Sequence, residues 1–568
     1  MTTTTRTNGR RRAAAVAATL VVGALALTAC SGKASNGATS APGSGGGSST
    51  GGSASANAAA YELTATTPAP TGDIDSFTWS LYAEPLSLNY AYAFDYPPNQ
   101  VLANVCESLL RWNADLTTSP GLAESVANPD PTTWVYTIRQ GVTFHDGTPM
   151  TADDVVASLN YHLDPKVGSY WASVFRNVKS IEKTGDFEVT VTLTQPDAMW
   201  NQYMAASPGT VESKATLEKD GADYGNPSTG VNCTGPFALD SWTPGQSITL
   251  TRYDGYWDSS LKAKAGEVRF VFLQDPNTRI NAWQTGEVDG GWQVPANAYA
   301  QLQSGGPGTL YFGTNTTVVS QIVNNLDGPL GDVRVRQALL MAIDRPAVIQ
   351  AAEKGVAQVS PALATKSTWV GVPSADVDAI YSALPQYPYD LAKAKELASQ
   401  AGVSGQKIVI ATSPVSSSAD IVAQATAEAA KSIGLDPEIK TISPDNYTAL
   451  FSDPAAREGI DLFFTTWYVS TGDPLEMYDV LLTGEFSNYG GWSDPEYDAA
   501  VEEALKTADP ARRATFTAKA QEIATDQLPW LPLYEPPTSV WLGKRITGVA
   551  PSINYMYYPW AATIGAAS

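Results

Sequence analysis

The sequence predicts an exported α/β protein built in more than one lobe. Three observations lead there. About 539 residues follow a basic and apolar start, too many for one core and enough for two or three domains. Strand and helix patterns alternate between residues 408 and 466, the mark of a lobe with neighbouring parallel strands. Hydrophobic residues at 43% and charged residues at 16% fit a packed, globular body.

At the start of the chain Arg10-Arg11-Arg12 precede an apolar run from Ala13 to Ala29. That run is too short for a comfortable membrane span and reads as an export signal over residues 1–29. Leu27-Thr28-Ala29-Cys30 resembles the lipobox of bacterial lipoproteins, which implies that Cys30 takes the lipid and becomes the mature N-terminus. Residues 30–72 are rich in Ser, Gly, Ala and Thr and lack apolar periodicity. They read as a flexible tether with a reach of about 35 Å. The expected location is the outer face of the cytoplasmic membrane.

The net charge of −22 falls to about −26 once the four arginines of the signal leave. Such a chain is not expected to bind nucleic acid or an anionic lipid surface, because like charge opposes both. Outside the cytoplasm Cys106 and Cys233 are expected to pair, and their spacing carries no zinc or redox motif. His145 and His162 are the only histidines, which speaks against a histidine-based hydrolase and most transition-metal sites. No phosphate-binding glycine loop is present, and no cofactor is implied. Trp and Tyr supply 15 and 26 residues, enough to serve both core and pocket.

Along the chain, Phe77 to Leu81 and Trp134 to Arg139 alternate as strands, and Val101 to Leu110 reads as a short helix carrying Cys106. Thr151 with Asp154 forms a capping-box pattern, which puts His145 in a structural turn before a helix. Val189 to Leu193 and Ser247 to Thr251 are strands. Asp332 opens a helix stopped near Pro346, and Asp390 opens another that runs to Gly402. Ile408 to Ala411, Pro437 to Ile442 and Leu462 to Thr466 are strands, with a helix from Ile421 to Ile433 between the first two and a short one near Tyr447. Asp494-Pro495 and Asp509-Pro510 start the last two helices, and extended aromatic segments follow from Leu531.

A set of short stretches then resembles one family in a fixed order. They are Gly121 to Ser125, Tyr136 to Phe144, Asp146-Gly147-Thr148-Pro149 with Thr151 to Val156, and Thr234-Gly235-Pro236-Phe237. Tyr256-Trp257, Gly286-Glu287-Val288-Asp289 and Val333 to Ala338 continue it. In this order they resemble the extracytoplasmic solute-binding proteins of ABC importers, in the family of oligopeptide-, dipeptide- and nickel-binding members. The resemblance implies a two-lobed, hinged periplasmic-binding-protein-like α/β fold of type II with an extra subdomain. Lobe I would comprise 73–105, 234–312 and 534–568, the subdomain 106–233, and lobe II 313–533. A Cys106–Cys233 bridge would then staple the base of the subdomain. The implied mechanism is ligand capture by lobe closure and docking on permease subunits in the membrane, by a monomer, with no covalent chemistry.

In peptide-binding members a tryptophan at the end of a second-lobe strand is followed three residues later by an aspartate that pairs with the peptide's ammonium group. Here Trp467 matches, but Ser470 stands at the anchoring position, and Phe464 stands where an oligopeptide binder carries arginine. A buried ammonium without a partner costs several kcal/mol, so these departures speak against free di- and tripeptides. Asp473 is the one nearby substitute. Phe94, Tyr96, Trp292, Trp467 and Tyr468 are candidate aromatic walls, and Gln321 is a polar candidate in the strand that crosses between lobes. The expected ligand is a peptide, with oligosaccharide as the alternative inside the family. An exported hydrolase or a regulatory lipoprotein is the alternative of another class.

Overall fold

A computed structural model describes residues 61–303, 306–414 and 416–568. The expected signal peptide, Cys30 and residues 31–60 of the expected tether lie outside these residues. Two sheets organise the described chain into two lobes. The first has seven strands in the order Phe237–Thr243, Ser247–Arg252, Ala265–Phe272, Ile74–Leu81, Gly290–Trp292, Thr538–Gly543 and Gly308–Gly313. Ile74–Leu81 runs parallel to both of its neighbours. Helix Pro276–Thr285 joins those two neighbours across it, a crossover that places the helix N-terminus at the carboxyl ends of the parallel strands. Burial on both faces from Trp79 to Leu81 is what such a central strand requires.

The second sheet has six strands in the order Gln358–Val359, Trp530–Glu535, Val318–Val323, Leu462–Trp467, Lys407–Thr412 and Asp436–Thr441. Lys407–Thr412 is parallel to both Asp436–Thr441 and Leu462–Trp467, so the strand–helix alternation read from 408 to 466 forms the parallel part of this lobe. Between the two cysteines in sequence lies a separate antiparallel sheet, Ala123–Asp130, Thr133–Ile138, Glu188–Leu193 and Val178–Gly185. The sulfurs of Cys106 and Cys233 lie 1.99 Å apart as a disulfide. Beside it Gly235 donates its N–H to the Val105 carbonyl at 2.8 Å, and a side chain at Gly235 would run into that backbone. The Thr-Gly-Pro-Phe motif is therefore a close-approach motif.

Several expectations are corrected. Residues 63 to 72 are not tether: Leu63 pairs with Phe312, Thr67 is buried with its N–H on the Val549 carbonyl, and Thr71 bonds Ala566. Backbone pairing holds this stretch, which is why composition does not reveal it. The first helix spans Tyr96–Val105, not Val101 to Leu110; Asp95 caps it, Pro97-Pro98 sit in its first turn, and Cys106 is already extended. The helix opened by Asp332 does stop just before Pro346, but that proline begins the next helix rather than ending the first. Helix Val333–Ala342 ends at Ile343, and Pro346 lies in the first turn of the next helix, Arg345–Ala352, capped by Asp344. Among the described residues no helix is long and apolar enough to cross a membrane.

Candidate functional site in the interlobe seam

Both histidines are structural. His145 Nε2 lies 3.0 Å from the Gly235 carbonyl, and burial pushes its pKa down to about 4. His162 stacks on Phe175, with Nδ1 2.7 Å from Ser169 Oγ, and burial pushes it down to about 3. Burial therefore keeps both rings uncharged at neutral pH. Among the described residues the grouping closest to a metal-ligand set is Cys106, Glu212 and Cys233, and its sulfurs are bonded to each other.

Three of the sequence candidates, Phe94, Tyr96 and Tyr468, meet where the lobes touch. Asp95 caps the helix that begins with Tyr96, and so aims Tyr96 across the seam. The Tyr96 hydroxyl lies 3.4 Å from both Thr317 Oγ1 and the Thr466 carbonyl, and its ring centroid is 5.4 Å from that of Tyr468. Tyr468 reaches back, donating to the Phe94 carbonyl at 2.7 Å and lying 2.9 Å from the Tyr557 hydroxyl. Phe94 stacks on Tyr170 at 4.1 Å. Trp467, half-buried, meets Trp530 edge-on at 5.1 Å.

The lobes are held together beyond these rings. Arg176 pairs with Asp479 at 2.5 Å and with Glu485 at 3.7 Å. The Ala198 N–H donates to the Leu505 carbonyl at 2.7 Å. Gly472 passes so close to the Leu116 carbonyl that a Cβ would sit 2.5 Å from it. That close approach accounts for glycine in the loop after Trp467.

The remaining candidates are elsewhere or otherwise engaged. Trp292 is 1% exposed and stacked on Tyr555 at 4.3 Å, so it is core. Gln321 is fully buried in the second sheet with its amide 3.3 Å from Thr426 Oγ1 on the covering helix. Asp473 is not free to act as an anchor, because Arg513 Nε holds it at 2.7 Å and Leu475 N–H at 2.9 Å. Ser470 is no open loop serine: its N–H and its hydroxyl both donate to Glu476, the hydroxyl at 2.7 Å.

Glu476 itself is missed by the sequence reading. It is buried 6 residues beyond Ser470, and burial pushes its pKa up to about 7 despite the Ser470 and Thr471 hydrogen bonds. Burial first, then the Glu476 charge, raises the pKa of the Tyr203 hydroxyl. Burial, then other neighbours including Glu476, does the same to Tyr170 and Tyr557. The seam is therefore tyrosine-rich and backed by a buried carboxyl group whose charged form burial disfavours. No feature of spacing around Asp473-Pro474-Leu475-Glu476 marks that carboxyl in advance.

Two lobes closing on a ring-lined seam define a solute-binding protein. Residues 117–489 match the family described as bacterial extracellular solute-binding proteins, family 5, and the chain belongs to it: a substrate-binding protein of an ABC importer. It is similar to the glutathione-binding protein GsiB of Escherichia coli strain K12, 28% identical over 435 residues that cover 75% of this chain and 82% of that protein. Among solved structures it is similar to AgaA from A. tumefaciens R10 in complex with agropinic acid, with a TM-score of 0.77 and 24% identity over 86% and 98% of the two chains. It also resembles DppA from Helicobacter pylori in complex with peptide STSA, with a TM-score of 0.76 and 21% identity over 88% and 99%.

Proposed function

We propose that this chain is a lipid-anchored binding subunit that captures peptides or peptide-like solutes between its lobes and delivers them to an ABC permease, without covalent chemistry. The observation that carries the reading is the cross-lobe tyrosine arrangement, with Tyr468 on the Phe94 carbonyl and Tyr96 on the Thr466 carbonyl. Contacts of this kind form only when the lobes meet, so anything held among them is held by closure. The relative named for glutathione, itself a tripeptide, supports the peptide class.

Mass spectrometry of whatever co-purifies with the protein, released by denaturation, is the first test. Calorimetry then compares glutathione and short peptides with their N-acetylated forms and with malto- and cello-oligosaccharides. Because Asp473 is held by Arg513 and Ser470 faces Glu476, acetylation is expected to weaken binding by less than about tenfold, against several kcal/mol where a dedicated carboxylate pairs with the ammonium. A hundredfold loss would assign the anchor to Glu476. Tight sugar binding with no peptide heat would overturn the peptide class.

The anchor is tested separately. Cys30→Ala is expected to move the protein from the membrane fraction to the soluble one, because the proposed attachment is the Cys30 lipid. Retention on membranes after a salt wash would overturn the lipoprotein reading.

A further inference from the structure

The antiparallel sheet between the two cysteines reaches the second lobe through two neighbouring loops. Arg176 and Asn177 lead into strand Val178–Gly185, and residues 194–198 follow strand Glu188–Leu193, its antiparallel partner. Asn177 ties the loops together. Its backbone carbonyl accepts from the Thr194 N–H at 2.7 Å, its side-chain oxygen accepts from Gln195 at 3.1 Å, and its side-chain nitrogen donates to Asp197 Oδ2 at 3.3 Å. None of these bonds involves the second lobe, so Arg176 and Asp197 stay on one platform when the lobes part.

Opposite that platform the second lobe presents two carboxylates. Asp479 ends helix Leu475–Asp479, and Glu485 lies in the turns beyond it. One cation therefore faces three acids. Arg176 Nη2 stands 2.5 Å from Asp479 Oδ1 and Nη1 3.7 Å from Glu485 Oε1, so both of its ion pairs cross between the lobes. Asp197 lies within electrostatic reach of the same guanidinium, yet among the described residues it has no ion pair of its own. It is 6% exposed, and burial first, then the Asp479 charge, disfavours its ionised form. The closed arrangement thus leaves one buried carboxylate without its cation, a cost that opening relieves. Opening in turn takes Arg176 away from Asp479 and Glu485 and leaves Asp197 as the acid beside it.

We propose that Arg176 is a two-position latch, paired with Asp479 while the lobes are closed and with Asp197 when they part, so that the two aspartates pull the closing equilibrium in opposite directions. This rests on lobe closure as the capture step and adds the group that sets how long the lobes stay shut. Each state offers the arginine a carboxylate, so neither strands it. The lobes are held without being locked, and a solute needs only a modest preference for the closed state to decide between the two.

The test is made on the full mature chain without any solute. The Ala198 N–H donates to the Leu505 carbonyl across the seam, so its hydrogen exchange reports how often the lobes part. Exchange at that amide is compared for the wild type, Asp479→Asn, Asp197→Asn and Arg176→Met, with the Val191 amide of the adjoining sheet as the folding control. It is expected to speed by about tenfold in Asp479→Asn, as for loss of one partner of a buried pair, and to slow in Asp197→Asn, which keeps an oxygen for the Met199 N–H. With Arg176→Met in place, both asparagine changes are expected to slow exchange, because each then only removes repulsion between acids. Faster exchange in both single aspartate variants overturns the switch and makes Asp197 an ordinary closing contact. Unchanged exchange in Asp479→Asn overturns the latch. Where Asp197→Asn disturbs the Val191 control, the reversal of the Asp479→Asn effect by Arg176→Met carries the test. Because no solute enters the measurement, failure of the latch leaves the peptide reading standing.

Discussion

Cys106→Ala with Cys233→Ala is expected to lower stability by about 4 to 5 kcal/mol, the largest effect of any change considered. The bridge closes 127 residues of chain, and loop-closure entropy for that length gives this value, with native strain able only to reduce it. The bridge's place reinforces the effect. It sits where the chain leaves the first lobe for the antiparallel sheet of 123–193 and where it returns, so cutting it frees both connections. The surroundings are polar but satisfied: Glu212, buried against the sulfurs, accepts from Ser213 and Asn232 backbone N–H groups. Urea unfolding followed by tryptophan fluorescence checks the prediction, with Trp134, Trp171 and Trp200 reporting on this region. A midpoint unchanged from wild type would show that the loop is already constrained when the bridge is open. Thiol titration of the unfolded, unreduced protein should accompany it and find no free thiol.

The lobes were legible because their signals are local. The capping box at Thr151 and Asp154, the Asp-Pro starts at 494 and 509, and the strand–helix alternation from 408 to 466 all depend on neighbours within a turn or two. Pro346 shows the limit of such signals, because a proline ends one helix or begins the next with the same chemistry. Of the candidate walls, Phe94, Tyr96 and Tyr468 lie where the lobes touch, whereas Trp292 and Gln321 are packed into the interior of their sheets. Period-2 alternation groups residues on a face of a strand, but the choice of which face meets the cleft belongs to the tertiary packing. The partners of Ser470 and Asp473 were illegible for a different reason. Ser470 finds Glu476 around a loop, and Asp473 finds Arg513 at a separation of 40 residues, on another helix.

Arg513→Met is expected to cost about 3 to 5 kcal/mol, because it leaves the Asp473 carboxylate buried without its counter-charge. Arg513 does more than pair. Its Nη1 also donates to the carbonyls of Thr507 and Ala508, just beyond helix Pro495–Lys506, so the one side chain ties that helix end to the loop after Trp467. The two partners are therefore unequal. Asp473→Asn leaves Arg513 with two carbonyl acceptors and keeps an oxygen for the Leu475 N–H, and its cost is expected to be well under half that of Arg513→Met. Asp473→Asn combined with Arg513→Met is expected to recover much of the loss, since no carboxylate is then stranded. Asp473 Oδ2 also accepts from the Gln202 amide at 3.5 Å across the seam, so both single variants should weaken ligand binding as well as stability. Chemical denaturation of the three variants measures the stability order, and calorimetry with the co-purified ligand measures the second effect. Equal costs for the two single variants would mean that the carboxylate is not stranded, and that the ion pair does not hold the loop.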